Sequence, residues 1–220
     1  GAIHDGHRAL IKQASKENES VVATIFVNPK QFSENKDFDR YPRPIETDFK
    51  SLQSQNVDLV FIPSIEEIYP PEYSTHVDVG KIGGILEGEY RPKHFHGVAT
   101  IVTKLISICK PDNTYFGQKD AQQCAVAHKI NSDLNLGTNI RVVPTVREKD
   151  GLAISSRNVN LSRYERCASN VLFRSLENAK LLKENGTTEI NLLIESIREC
   201  ISSEPLIKID YVSIVNPITL

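Results

Sequence analysis

Val21-Val22-Ala23-Thr24-Ile25-Phe26-Val27-Asn28-Pro29 decides the fold. A strand with one wet face alternates apolar and polar residues, whereas this run is apolar and β-branched apart from Thr24. Both faces of such a strand are covered, which is the condition of a parallel strand lying under helices. Asn28-Pro29 then ends it. Working outward, Val57 to Ile62, Asn113 to Gly117 and Ile140 to Val146 read the same way. Helix-period stretches separate them. Pro44 opens one at its first turn, with Ile45, Phe49 and Leu52 on one face. Val98, Ile101, Val102, Leu105, Ile108 and Cys109 form the stripe of the next, and Gln122 to Leu134 forms a third. Strands alternating with helices predict the α/β class with a parallel sheet.

Residues 63–95 carry Pro63, Pro70, Pro71, Gly83, Gly84 and Pro92 and read as a loop-rich excursion. After Asn158 the pattern becomes two helices, about 162–184 and 188–202, followed by a strand from Leu206 to Ile214. In that strand Ile207, Ile209 and Tyr211 alternate with Lys208 and Asp210. The expectation is a catalytic domain over 1–157 and a smaller α+β domain over 158–220.

Composition limits the function. Lysine plus arginine number 26 against 28 acidic residues, a formal charge of −2, so no extended basic surface is available for nucleic acid. No apolar run approaches the roughly 18 residues of a membrane span. Cys109, Cys124, Cys167 and Cys200 are scattered with no Cys-x-x-Cys pair, which suits reduced thiols in the cytoplasm. Methionine is absent where about four are usual, so we expect a fragment.

Four segments carry chemistry. His4-Asp5-Gly6-His7 sets two imidazoles on the first turn of a helix, beside free backbone N–H groups suited to phosphate, with Gly6 clearing a ligand's approach. The alternative is a pair of surface histidines. Asn28 and Gln31 emerge at the carboxyl end of a strand, where open α/β sheets hold ligands, although Asn-Pro is also an ordinary turn. Gly117-Gln118-Lys119-Asp120, followed by Gln122 and Gln123, repeats that geometry. Lys119 supplies a mobile charge, Asp120 is a ligand contact or a helix cap, and Gln123 faces the cleft. Ile154-Ser155-Ser156-Arg157 lies on a Gly151-opened loop able to wrap a polyphosphate or to serve as a linker. His94-Phe95-His96 lacks a third ligand for zinc, and Arg91 is the better anion contact.

In this order the segments resemble the pantoate–β-alanine ligase family. The resemblance rests on Gly1-Ala2-Ile3-His4-Asp5-Gly6-His7, Ile25-Phe26-Val27-Asn28-Pro29, Tyr41-Pro42-Arg43, Leu86-Glu87-Gly88, Phe116-Gly117-Gln118-Lys119-Asp120, Val143-Pro144-Thr145-Val146-Arg147 and Ile154-Ser155-Ser156-Arg157-Asn158. It implies a Rossmann-like domain and two steps. Pantoate first attacks ATP to give pantoyl adenylate and pyrophosphate; β-alanine then displaces AMP. It also implies that His7, with His4 and Lys119, is catalytic. Gly1, Ala2, Ile3, His4, Asp5, Gly6, His7, Gly117, Gln118, Lys119, Asp120, Val146, Ile154, Ser155, Ser156 and Arg157 would contact ATP. Gln31, Gln123 and Asn28 would hold pantoate, with Gln31 also on β-alanine. Mg2+ would arrive through the phosphates with no dedicated protein site. The family further suggests a cytoplasmic homodimer.

The resemblance leads us to expect truncation at both ends, with a strand ahead of Gly1 and the sheet partners of Leu206 to Ile214 lying outside the chain. Lys30 and Ala121 stand where the family usually has an apolar and an aromatic residue. Two other readings are a nucleotidylyltransferase, which would need more cations for a second phosphate, and a non-catalytic nucleotide-binding protein.

Overall fold

A computed structural model describes residues 2–32, 38–39 and 41–220. Contacts divide the chain into a unit ending at Thr145, rejoined by Pro217–Leu220, and a second unit over Val146–Asn216.

The first unit begins with helix α1 (Asp5–Glu17), strand β1 (Val22–Thr24) and a 3-10 turn, Pro29–Gln31. Helix α2 (Ile45–Gln53) and strand β2 (Leu59–Phe61) follow. The proline-rich excursion holds only short turns of helix, α3 (Ile65–Ile68) and α4 (Glu87–Tyr90), with a 3-10 turn at Gly80–Gly83. Helix α5 (His94–Cys109) leads into β3 (Asn113–Gly117), a 3-10 turn (Gln118–Asp120), α6 (Ala121–Asp133) and β4 (Asn139–Val143). Helices α5 and α6 pack on each other, Phe95, Val98 and Ala99 with Ala125, Val126 and Ile130, and Leu220 joins the edge of that cluster; of the stripe read on α5, Val98 and Ile101 are buried and Ile108 is exposed.

The pairing is parallel, as expected, but it is not one sheet. β1 pairs with β2, Val22 opposite Leu59, and β3 pairs with β4, Asn113 opposite Asn139. Among the described residues nothing bonds the two ladders together. A cavity of about 370 Å³ is lined by all of β1, by Asn113 to Phe116 of β3, by His7, Leu10, Ile11 and Ala14 of α1, and by Val102, Leu105, Ile106 and Cys109 of α5. The apolar run from Val21 is therefore strand only over Val22–Thr24, because only those residues find a ladder partner.

The second unit contains α7 (Arg163–Ala168), α8 (Val171–Glu184) and α9 (Ile190–Ser202). The first helix expected here, 162–184, is two. Ser169 Oγ donates to the Arg166 carbonyl at 2.8 Å and the chain turns before Val171. A second correction concerns Leu206 to Ile214, which is not a strand. No partner strand exists among the described residues, and Ile207, Ile209 and Val212 pack instead on Ala179, Ile197 and Ile201 of α8 and α9. Alternation there marks a buried face and no ladder, so this unit is helical rather than α+β.

Residues 146–154 belong with these helices. Arg147 bridges to Ala153, and Arg166 forms ion pairs with Asp150 at 2.6 Å and Glu148 at 2.7 Å. Gly151 has φ +92°, and a Cβ there would lie 1.8 Å from the Phe173 ring. Only glycine fits both the backbone and the space.

Candidate active site

In the first unit, the amino end of α1 brings His4 and His7 together. Their rings stack at 3.9 Å between centroids, 20° from parallel. The His4 backbone N–H donates to His7 Nδ1 at 3.4 Å. Because Nδ1 accepts, the neutral ring of His7 carries its proton on Nε2. Burial, followed by the neighbouring His4, pushes His7 down to about 4, while Asp120 pulls the other way. His4 is lowered as well, first by burial and then by Lys119. At neutral pH both rings are uncharged donors. His4 Nδ1 is buried against the first turn of α1, where the His4 and His7 side chains form a capping box. Gly6 has a different task from the one expected, since its Cβ would come within 2.9 Å of His4 Cε1. It makes room for the histidine.

Behind this turn, Ile3 N–H donates to Asp48 Oδ1 at 2.7 Å. Asp48 is buried on α2, near the amino end of that helix, where a carboxylate is favoured. Sequence reading missed it, because nothing near Asp48 in the chain signals a partner 45 residues away. Gly1 lies outside the described residues. Ala2 and Ile3 are half-buried, and Asp5 is exposed, pairing with Arg8 at 3.2 Å.

At the end of β3, Gln118, Lys119 and Asp120 are exposed and Gly117 is half-buried. Asp120 does not cap α6; its carboxylate sits 3.2 Å from Lys119 Nζ. Lys119 and Asp120 both act electrostatically on the histidine pair. One turn later Gln122 is buried, donating to the carbonyls of Ile82 and Ile85 and accepting from Glu87 N–H. Gln123 is half-buried, and its side chain makes no hydrogen bond among the described residues.

At the end of β1 the Pro29–Gln31 turn is pressed against α5. Gly97 is the reason it fits, because a Cβ there would lie 2.3 Å from the Lys30 carbonyl oxygen. A glycine inside a helix costs stability and so signals a close approach; this was the available clue. The Gln31 carbonyl accepts from His94 Nδ1 at 2.7 Å and Arg91 Nη2 at 3.3 Å. Arg91, read as an anion contact, holds this turn and pairs with Glu87. Asn28 is 2% exposed and Gln31 half-buried.

In the second unit, Val146 accepts from Ile154 N–H at 3.0 Å, closing the base of the loop that carries Ser155, Ser156 and Arg157. Ser155 Oγ accepts from Arg157 N–H at 3.2 Å, and Asn158 Nδ2 donates to the Ala153 carbonyl at 3.1 Å.

The family model for pantoate–β-alanine ligase matches residues 1–220. A pantothenate synthetase of Thermoanaerobacter sp. (strain X514) is 51% identical over the whole chain, which spans 78% of that relative. The crystal structure of pantothenate synthetase from Thermus thermophilus superposes with TM-score 0.97 at 43% identity, over all of this chain and 80% of that one. The ligase from Francisella tularensis, solved with β-γ ATP and β-alanine, gives TM-score 0.78 at 38% identity, covering 91% of this chain and 75% of that one. Among the described residues no helix is long and apolar enough to cross a membrane.

Proposed function

The chain belongs to the pantoate–β-alanine ligase family, and we propose that the side chains described above carry out its reaction, the joining of pantoate to β-alanine, in two ATP-dependent steps. In the first, a pantoate carboxylate oxygen attacks the α-phosphorus of ATP and the bond to pyrophosphate breaks. In the second, the β-alanine amine attacks the acyl carbon, AMP leaves and the amine loses a proton.

The observation that carries this reading is the stacked, neutral histidine pair at a helix amino end, with Lys119 close enough to perturb it. Adenylation needs positioning and neutralisation of developing charge more than covalent help from the protein. His7 and His4 each offer Nε2–H to phosphate oxygens. Lys119 brings a full charge on a flexible stem. A triphosphate beside His7 raises its proton affinity, which suits the role of proton donor. Ala2 to His7 and Gly117 to Asp120 make the ATP site in the first unit, Val146 and Ile154 to Arg157 in the second. Gln31 and Gln123 take pantoate, Asn28 supports that set, and Gln31 also serves β-alanine.

Mg2+ fits this donor set. It usually keeps substrate phosphates and one or two carboxylates as ligands. Asp120, exposed beside Lys119, is the carboxylate able to share it. Bound with ATP, the ion neutralises phosphate charge. The enzyme acts in the cytoplasm, in keeping with its four free cysteines, and as a homodimer in keeping with the family resemblance.

ATP–pyrophosphate exchange without β-alanine tests the reading, run on this chain and on one extended at both ends. Exchange that requires pantoate is expected. ATP binding with no exchange in either chain would overturn it in favour of a nucleotide-binding protein.

A further inference from the structure

The Asn28 side chain has no hydrogen-bonding capacity left for a ligand. A primary amide accepts two hydrogen bonds and donates two. Here Oδ1 accepts from the Tyr69 hydroxyl at 2.8 Å and from Lys30 N–H at 3.3 Å. Nδ2 donates to the Gly97 carbonyl at 3.0 Å and to Gln31 Oε1 at 3.3 Å. Two of these partners act in one sense only. A backbone N–H cannot accept and a carbonyl cannot donate, so the amide is fixed in one orientation. Tyr69 is buried, which raises its phenol well above the ordinary value and keeps it a donor.

The consequence passes to Gln31. Asn28 can only donate to it, so Gln31 turns its carbonyl oxygen inward and leaves its NH2 group for whatever lies outside. No described residue accepts from that NH2 group. The Gln31 backbone is clamped by Arg91 and His94, and Gly97 holds the whole turn against α5.

We infer that Asn28 is a positioning residue that touches no ligand itself and, with Tyr69 behind it, fixes Gln31 to present two N–H donors, selecting an acceptor oxygen such as a carboxylate's. The identity of that ligand as pantoate rests on the proposed function; the hydrogen-bond order does not.

Two measurements decide it. In the free protein, side-chain amide hydrogen exchange followed by NMR should show the Asn28 NH2 pair exchanging more slowly than that of Gln31, with the difference reduced in Tyr69→Phe. Equal rates in the native chain overturn the inference, whether or not the protein binds pantoate. The second is a double-mutant cycle on pantoate affinity. Asn28→Asp replaces the inward donor by an acceptor and forces Gln31 to turn. It should weaken binding about 100-fold in the native background and less than about twofold in Gln31→Leu. An equal loss in both backgrounds would mean that Asn28 meets the ligand directly. Should Asn28→Asp fail to fold, Tyr69→Phe takes its place in the same cycle, with an expected loss of about fivefold that vanishes in Gln31→Leu.

Discussion

Two turns of the same kind end two parallel strands in the first unit, and they are built in opposite ways. Pro29–Gln31 after β1 is enclosed: Gly97 is pressed against it, Arg91 and His94 hold its carbonyl, and Asn28 is saturated. Gln118–Asp120 after β3 is exposed, nothing lies within 4 Å of where a Gly117 Cβ would be, and its side chains share one ion pair. The difference matches two tasks. A hydroxy acid with fixed charge is recognised by neutral amides with fixed direction, whereas phosphate charge that moves during transfer is met by a cation free to follow it.

The comparison can be broken most sharply at Lys119. Lys119→Ala should reduce pantoate-dependent exchange by about 10² to 10³, while urea unfolding shifts by less than about 0.5 kcal/mol. A large stability loss would mean that this turn is structural after all. Next in size is the paired test of the glycines. Gly97→Ala forces a Cβ against the Lys30 carbonyl and should cost about 3 kcal/mol; Gly117→Ala, at φ −83° and with open space, should stay within about 0.5 kcal/mol. Equal effects in denaturant titrations would remove the contrast.

The third test is titration. Unfolded, His7 takes a proton near 6.5; folded, it resists to about 4. Between those values the unfolded chain holds more protons, so stability falls as pH drops. The contribution is complete above about 6.5, and its loss by pH 4 amounts to about 3 kcal/mol. Urea midpoints at pH 7 and pH 4.5 should therefore differ less in His7→Asn than in the native chain. An unchanged difference would place His7 in solvent.

How far these features were legible depended on where their partners lie. Most of the α5 stripe, the span of α6 and the run at β3 could be read because each records burial in its own spacing; Ile108, near the end of α5, carries the spacing without the burial. Leu206 to Ile214 misled for the same reason: alternation reports a covered face and is silent about whether a strand or two helices cover it. At the site, the strand-end motifs stood out by residue type. The saturation of Asn28 did not, since it depends on Tyr69 and Gly97, 41 and 69 residues away. Asp48 was hidden in the same way.

The separated ladders bear on how this chain can associate. A sheet edge on the surface can template growth without limit, one strand upon the next. Strands β1 and β3 both line one cavity of about 370 Å³, together with α1 and α5. Among the described residues β1 and β3 each have one ladder partner, so a segment pairing with either strand on the cavity side must fit a confined space.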